Sequence, residues 1–136
     1  MASILKVDDL RGNTSAGDIT ITSEGGSATM QLQQGVAKCW VNLDGSGTVG
    51  INDSFNVSSI SDDGTGKYDF THTNNMNNTN TAISGMTARG STNGYFVRCD
   101  DQQARTTSTI RLVHAAYATT ETDDDPVMAI VHGDLA

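Results

Sequence analysis

The sequence predicts an all-β protein: an antiparallel, jelly-roll-like β-sandwich preceded by an N-terminal arm and a β-ribbon. Three observations carry this. Short alternating apolar and polar stretches recur at intervals of about eight to twelve residues, the spacing of a sandwich or barrel. Turn signals rich in Gly and Asp punctuate them, most clearly Asp44-Gly45-Ser46-Gly47 and Asp62-Asp63-Gly64-Thr65-Gly66. The 136 residues include 14 Gly, 18 Thr and 10 Asn. That mixture disfavours helix, because Thr is stiff at χ1 while Asn and Gly prefer turns.

Taken in order, Ile4, Leu5, Val7 and Leu10 make the opening segment apolar, but it is too short for a stable helix. It fits a short strand or an irregular docking segment. Residues 11–17 are a loop by composition. Asp18 to Ser23 places Ile19 and Ile21 on one face, and Ala28 to Gln33 places Ala28, Met30 and Leu32 in phase. Joined by Glu24-Gly25-Gly26, the two form a hairpin with one apolar face. Such a ribbon is marginal alone and gains stability by docking. The expected organisation is an anchoring arm and hairpin over residues 1–35 and a sandwich domain over 36–136.

The stretch from Val36 to Phe70 is the centre of the sandwich. It holds Trp40, two of three Phe and one of three Tyr. Ala37 to Asn42 is a strand expected to be buried on both faces, with Trp40 in the core. Thr48 to Ile51 is the next strand, with a bend or bulge at Asn52-Asp53. Ser54 to Ile60 and Lys67 to Thr73 follow, the second with Tyr68, Phe70 and His72 in phase. Residues 74–80 form a polar loop. Thr81 to Arg89 carries Ala82, Ser84, Met86 and Ala88 on one face, and Gly85 marks a bulge or close approach. Gly90 to Gly94 is a turn, Tyr95 to Cys99 a strand, and Asp100 to Arg105 a loop or single helical turn. Thr106 to Tyr117 is a longer strand with Ile110, Leu112 and His114 on one face. An acidic loop, Glu121 to Asp125, leads to Val127–His132, a nearly continuous apolar run that predicts a buried closing strand.

Composition narrows function. Apolar content is 36%, below the roughly 45–50% of an ordinary globular chain. Burial supplied by self-association would compensate. The net charge is −8 and Lys and Arg never cluster, which argues against a nucleic-acid-binding face. No run of about 18 apolar residues is present to span a membrane. The opening MASILKVDDL has no apolar h-region, so no signal peptide is expected.

No motif assembles a catalytic or cofactor site, and the chain is expected not to be an enzyme and to use no cofactor or metal. Gly45-Ser46-Gly47-Thr48-Val49-Gly50 matches GxGxxG. The chemistry of that motif needs a helix N-terminus against a pyrophosphate, and a strand-like run follows instead. The Asp pairs lack calcium-loop spacing and read as solvated turns. His72, His114 and His132 lie on three separate strands, and no CxxC accompanies them. Cys39 and Cys99 read as small buried hydrophobes, or as a disulfide if they face each other. Tyr68, Tyr95 and Trp40 are the candidates for a sugar-stacking platform, against a core role.

The run AKCWVNLDGSGTVGINDSFNVSSISDDGTGKYDFTH resembles a β domain of bacteriophage tail-fibre-like virion proteins, a type common in marine and cyanobacterial phages. The shared features are an A-K-x-W-V-N strand, a D-G-x-G-T turn, an S-F-N-V-S-S-I strand, a D-x-G-T-G turn and an aromatic-rich strand. The opening is similar to the group's short K-V-D-x-L lead before a ribbon, and PVMAIVHGD is similar to its closing strand. The resemblance implies a structural role on the virion, assembled in the host bacterial cytoplasm, with other tail or capsid proteins as partners. It also implies a homotrimer. Ile4, Leu5, Val7 and Leu10 would then anchor the arm, and Ile19, Ile21, Met30 and Leu32 would pack against neighbouring copies or the adjacent virion protein. The alternatives are a capsid-decorating or head-fibre protein, and a carbohydrate-binding module that meets a host surface glycan.

Overall fold

The computed structural model describes residues 4–13, 19–88, 94–100, 105–116 and 120–136. The turn expected at Gly90–Gly94 and the loop expected at Asp100–Arg105 fall mostly outside them. The chain divides into two compact units, Met1–Val36 and Ala37–Ala136.

In the first unit, residues 4–10 form no helix or strand. β1 (Thr20–Thr22) pairs with β2 (Thr29–Gln31), with Ile21 opposite Met30. The second strand ends earlier than its alternation predicts. Leu32–Gly35 forms one helical turn, α1, in which Leu32, Gln33 and Gln34 are good helix formers and Gly35 ends the turn. That turn brings Gly35 back against Met30, so close that a Cβ there would lie 2.9 Å from the Met30 methyl.

The second unit is an antiparallel sandwich. One sheet contains β3 (Cys39–Asp44), β4 (Gly50–Phe55), β7 (Ala82–Thr87) and β11 (Val127–His132), in the order β4-β3-β11-β7. The other contains β5 (Val57–Asp62), β6 (Lys67–His72), β8 (Tyr95–Cys99), β9 (Thr109–Ala116) and β10 (Thr120–Glu121). In that sheet β9 pairs with β8 along one edge, and with β6 and then β10 along the other. The inward residues of both sheets make one core: Cys39, Val41, Leu43, Tyr68, Phe70, Ile110, Leu112, Val127, Ala129 and Val131. Their phase is the period-two alternation visible in the sequence.

Asn56 sits between β4 and β5 with φ 59°, and the chain crosses there from one sheet to the other. The single strand expected over Ser54–Ile60 is therefore two. Asn tolerates the left-handed region, and its side chain stabilises the corner. Nδ2 donates to the carbonyls of Lys38 and Asn74, both at 3.0 Å, and Oδ1 accepts from Asn74 N at 2.7 Å. The bulge expected at Asn52 is present, since Asn42 pairs with Asp53 and Leu43 with Ile51. Gly85 makes the close approach expected of it: a Cβ would lie 2.5 Å from Val97 of β8. The loop over residues 74–80 contributes more than polarity predicts. Met76 is buried in the core and bridges to Leu135.

Candidate functional site

The eight residues singled out for partner binding fall into two groups. Ile4, Leu5, Val7 and Leu10 lie in the irregular arm with their side chains exposed, Ile4 at 77% and Leu5 at 78%. A local Arg11–Asp9 ion pair of 2.6 Å follows them. Ile19, Ile21, Met30 and Leu32 are brought together by the ribbon. Ile21 pairs with Met30, and Leu32 N donates to the Ile19 carbonyl at 2.7 Å, so all four share one face. Ile21 and Met30 are exposed, while Ile19 and Leu32 are half-buried.

The sandwich presents a further surface that the sequence reading missed. Trp40 is not in the core. β3 alternates with Cys39, Val41 and Leu43 inward, which places Trp40, Asn42 and Asp44 on the outer face. β11 alternates in the same way. Met128 is half-buried and Ile130 is 39% exposed, so the strand is not covered on both faces. Registers align two outward rows across the four strands: Phe55–Trp40–Ile130–Ser84, and Asp53–Asn42–Met128–Met86. Phe55 at 52% and Met86 at 66% are exposed large hydrophobics. Between them is a depression of about 350 Å³, lined by Trp40, Asn42, Ser84, Gly85, Met128 and Ile130. The small outward side chain of Ser84 leaves this hollow open on the β7 side. The available signal was that VMAIVH is apolar in both phases and that Trp40 falls in the opposite phase to Cys39 and Val41, which marks a second apolar face without saying what covers it.

The outer face of the other sheet is built differently. Arg111 donates from Nε and Nη2 to the Asp69 carboxylate at 2.6 and 2.7 Å, and its Nη1 lies 2.6 Å from Asp63. Lys67 and Arg98, each directly opposite Val113, reach Glu121 at 3.1 and 4.0 Å. Val113 is fully buried beneath them, as the long aliphatic stems of Lys and Arg allow. One outer face is thus closed by ion pairs and suited to water, and the other is apolar.

The acidic loop is not the solvated turn that composition predicts. Asp123 Oδ1 accepts from Gly66 N at 2.7 Å and from the Tyr68 hydroxyl at 3.3 Å. Asp124 is buried, accepts from the Thr87 hydroxyl at 3.0 Å, and lies 3.4 Å from His114 Nε2. His114 Nδ1 is 2.6 Å from the Thr122 carbonyl, and Tyr95 stacks on the imidazole at 5.4 Å. This contact lies inside the sandwich, with His114 at 0% exposure. Gly66 (φ 70°) permits it: a Cβ there would lie 2.5 Å from the His114 carbonyl. Tyr68 is buried too, so it forms no sugar platform with Trp40 and Tyr95. Burial and the Asp123 charge push its hydroxyl pKa up.

The GxGxxG match is a turn between two strands. The Asp44 carboxylate accepts from the Ser46 hydroxyl and backbone N, at 2.6 and 2.7 Å, and these bonds hold its pKa down. Cys39 is buried and Cys99 half-buried, both as free thiols. Burial pushes the Cys39 pKa up to about 12. Among the described residues no group of three or more His, Cys, Asp or Glu is arranged to hold a metal ion, and no helix is long and apolar enough to cross a membrane. No protein-family model, curated protein or solved structure matches the chain.

Proposed function

We propose that this protein is a structural component of a bacteriophage virion: a homotrimeric tail-fibre or tail-associated protein, anchored by its arm. The observation that carries this reading is the exposure of Ile4, Leu5, Val7, Leu10, Ile21 and Met30 within the first 35 residues of an acidic chain. Apolar side chains held in water are stabilised by a partner that covers them, at roughly 25 cal/mol per Å². The arm lays onto another virion protein as an ordered peptide, and the ribbon faces of three copies meet about the trimer axis. The likeness of the Ala37–His72 segment to phage tail-fibre-like domains supplies the setting, a particle assembled in the bacterial cytoplasm.

Capsid decoration uses the same surfaces and differs in copy number. A glycan-binding role has less support: the Trp40 face offers aromatic area, but only Asn42 and Ser84 supply polar side chains to the hollow.

The test is incorporation into particles. Leu5→Asp with Val7→Asp is expected to leave the sandwich folded and to abolish incorporation. Sedimentation of the intact protein is expected to give three times 14.3 kDa. Full incorporation of the double variant, or a stable monomer at micromolar concentration, overturns the arm or the trimer respectively. Density for this chain on the tail or over the capsid lattice separates the two locations.

A further inference from the structure

We propose that the loop from Thr122 to Asp125 is a proton-dependent latch, held on the sandwich by an imidazolium–carboxylate pair of His114 and Asp124. His114 points inward from β9 and is fully buried. Its Nδ1 lies 2.6 Å from the Thr122 carbonyl. A carbonyl oxygen only accepts, so Nδ1 carries a proton. Nε2 makes no hydrogen bond of standard geometry, and an Asp124 carboxylate oxygen lies 3.4 Å from it. A neutral imidazole has one N–H. Left neutral, His114 would hold a bare lone pair against a carboxylate in a dry site, where an unmatched polar atom is costly. One added proton on Nε2 turns the same contact into an attraction.

The neighbouring groups leave that proton to the pair. The Thr87 hydroxyl and Asp125 N each donate to the Asp124 carboxylate at 3.0 Å, which holds it in place without removing its charge. Asp123 accepts from Gly66 N and faces the Tyr68 hydroxyl of β6, and Tyr95 of β8 meets the imidazole with its ring face. Lys67, Arg98 and Glu121 pair on the outer side of the sheet. His72 and His132 end β6 and β11, at the opposite end of the sandwich from the loop.

The loop closes its own end of the sandwich through the backbone. The Asp124 carbonyl accepts from Gly45 N at 2.8 Å in the β3–β4 turn, and Asp123 Oδ1 accepts from Gly66 N at 2.7 Å in the β5–β6 turn. Thr122 N donates to the His114 carbonyl at 3.2 Å. Loss of the proton sets Nε2 and Asp124 against each other where the loop is buried, and these three bonds loosen together. Closure takes up a proton, so it is strongest at low pH and weakens as pH rises. That sign is opposite to the sign at His72, where burial disfavours the charged ring. The latch involves neither the arm nor the ribbon and stands apart from the virion role.

Amide hydrogen exchange of the full chain, corrected for the intrinsic pH dependence of exchange, tests it. Protection at Gly45 and Gly66 is expected to fall about tenfold from pH 6 to pH 9, relative to Val41 and Leu112 in the core. Asp124→Asn is expected to abolish that fall, because its amide N–H donates to a bare Nε2 and the contact needs no added proton. In proton–nitrogen correlation spectra of the wild type at pH 6, both His114 ring nitrogens are expected to carry protons. The two wild-type measurements decide the question whether or not the variant folds. A bare Nε2 at pH 6 overturns the latch, and so does equal protection of Gly45 and Gly66 at both pH values. A folded Asp124→Asn variant that keeps the wild-type pH dependence overturns it as well.

Discussion

Arg111 grips Asp69 with two hydrogen bonds of 2.6 and 2.7 Å across adjacent strands, and Asp63 at 2.6 Å completes the cluster. The Arg111 side chain is 10% exposed and that of Asp69 23%, so water competes for this pair less than for a surface ion pair. The geometry is the two-pronged form that Arg alone provides.

Arg111→Met is therefore expected to destabilise the protein by about 2 kcal/mol in urea denaturation, because Asp69, Asp63 and the more distant Asp100, at 4.0 Å, lose their counter-charge. Arg111→Lys keeps the charge and loses the fork, and falls between the two. A loss below about 0.5 kcal/mol for Arg111→Met would show that solvent already screens the cluster.

The corner at Asn56 makes a second prediction. Asn56→Gly keeps the left-handed backbone and loses the side-chain hydrogen bonds to Lys38 and Asn74, a cost of about 2 kcal/mol. Asn56→Ala loses the same bonds and adds about 1 kcal/mol of backbone strain. The order Asn > Gly > Ala in urea midpoint checks it. A more stable Ala variant would show that the corner tolerates an ordinary φ.

His72 is buried on the inner face of β6, edge-on to Phe70 at 5.5 Å, and neither ring nitrogen makes a hydrogen bond of standard geometry. Burial lowers its pKa, partly opposed by the Asn56 backbone. The unfolded chain thus takes up its proton first as pH falls. The contribution of neutral His72 is fully present above about pH 6.5 and is lost progressively as pH drops toward the lowered folded value. His72→Leu is expected to raise stability by about 1 kcal/mol at pH 7.5 and by more at pH 5.5. Identical gains at both pH values would rule out the linkage.

The thiols give a fourth. With its pKa pushed up to about 12 and its side chain buried, Cys39 is expected to resist a disulfide reagent at pH 8 until the protein unfolds. Cys99, half-buried and also raised by burial, reacts slowly in the native state. Two thiols titrating within seconds in native buffer would contradict the placement of Cys39.

Most strands of the sandwich were legible because alternation is local. Tyr68, Phe70 and His72, and likewise Ile110, Leu112 and His114, share faces in the structure as their spacing requires. Gly85 and the Asn52 bulge were legible as well. The apolar members of the arm and ribbon could be named from the same spacing, and the antiparallel pairing of Ile21 with Met30 places the ribbon's set on one face. The Trp40 face was not legible. Its residues come from four strands separated by up to ninety positions, and only the registers bring them side by side.

By itself the sequence determined an all-β architecture, the turns at Asp44–Gly47 and Asp62–Gly66, and which residues of each strand share a face. A strand's side chains alternate with a period of two whatever it packs against. The tertiary structure decided which of the two faces meets the other sheet. It turned Cys39 inward and left Trp40 outside, bent the chain at Asn56, and drew Asp123 and Asp124 in to meet Tyr68 and His114. Those outcomes depend on contacts between segments far apart in the chain, where burial and hydrogen-bond satisfaction are settled jointly and not strand by strand.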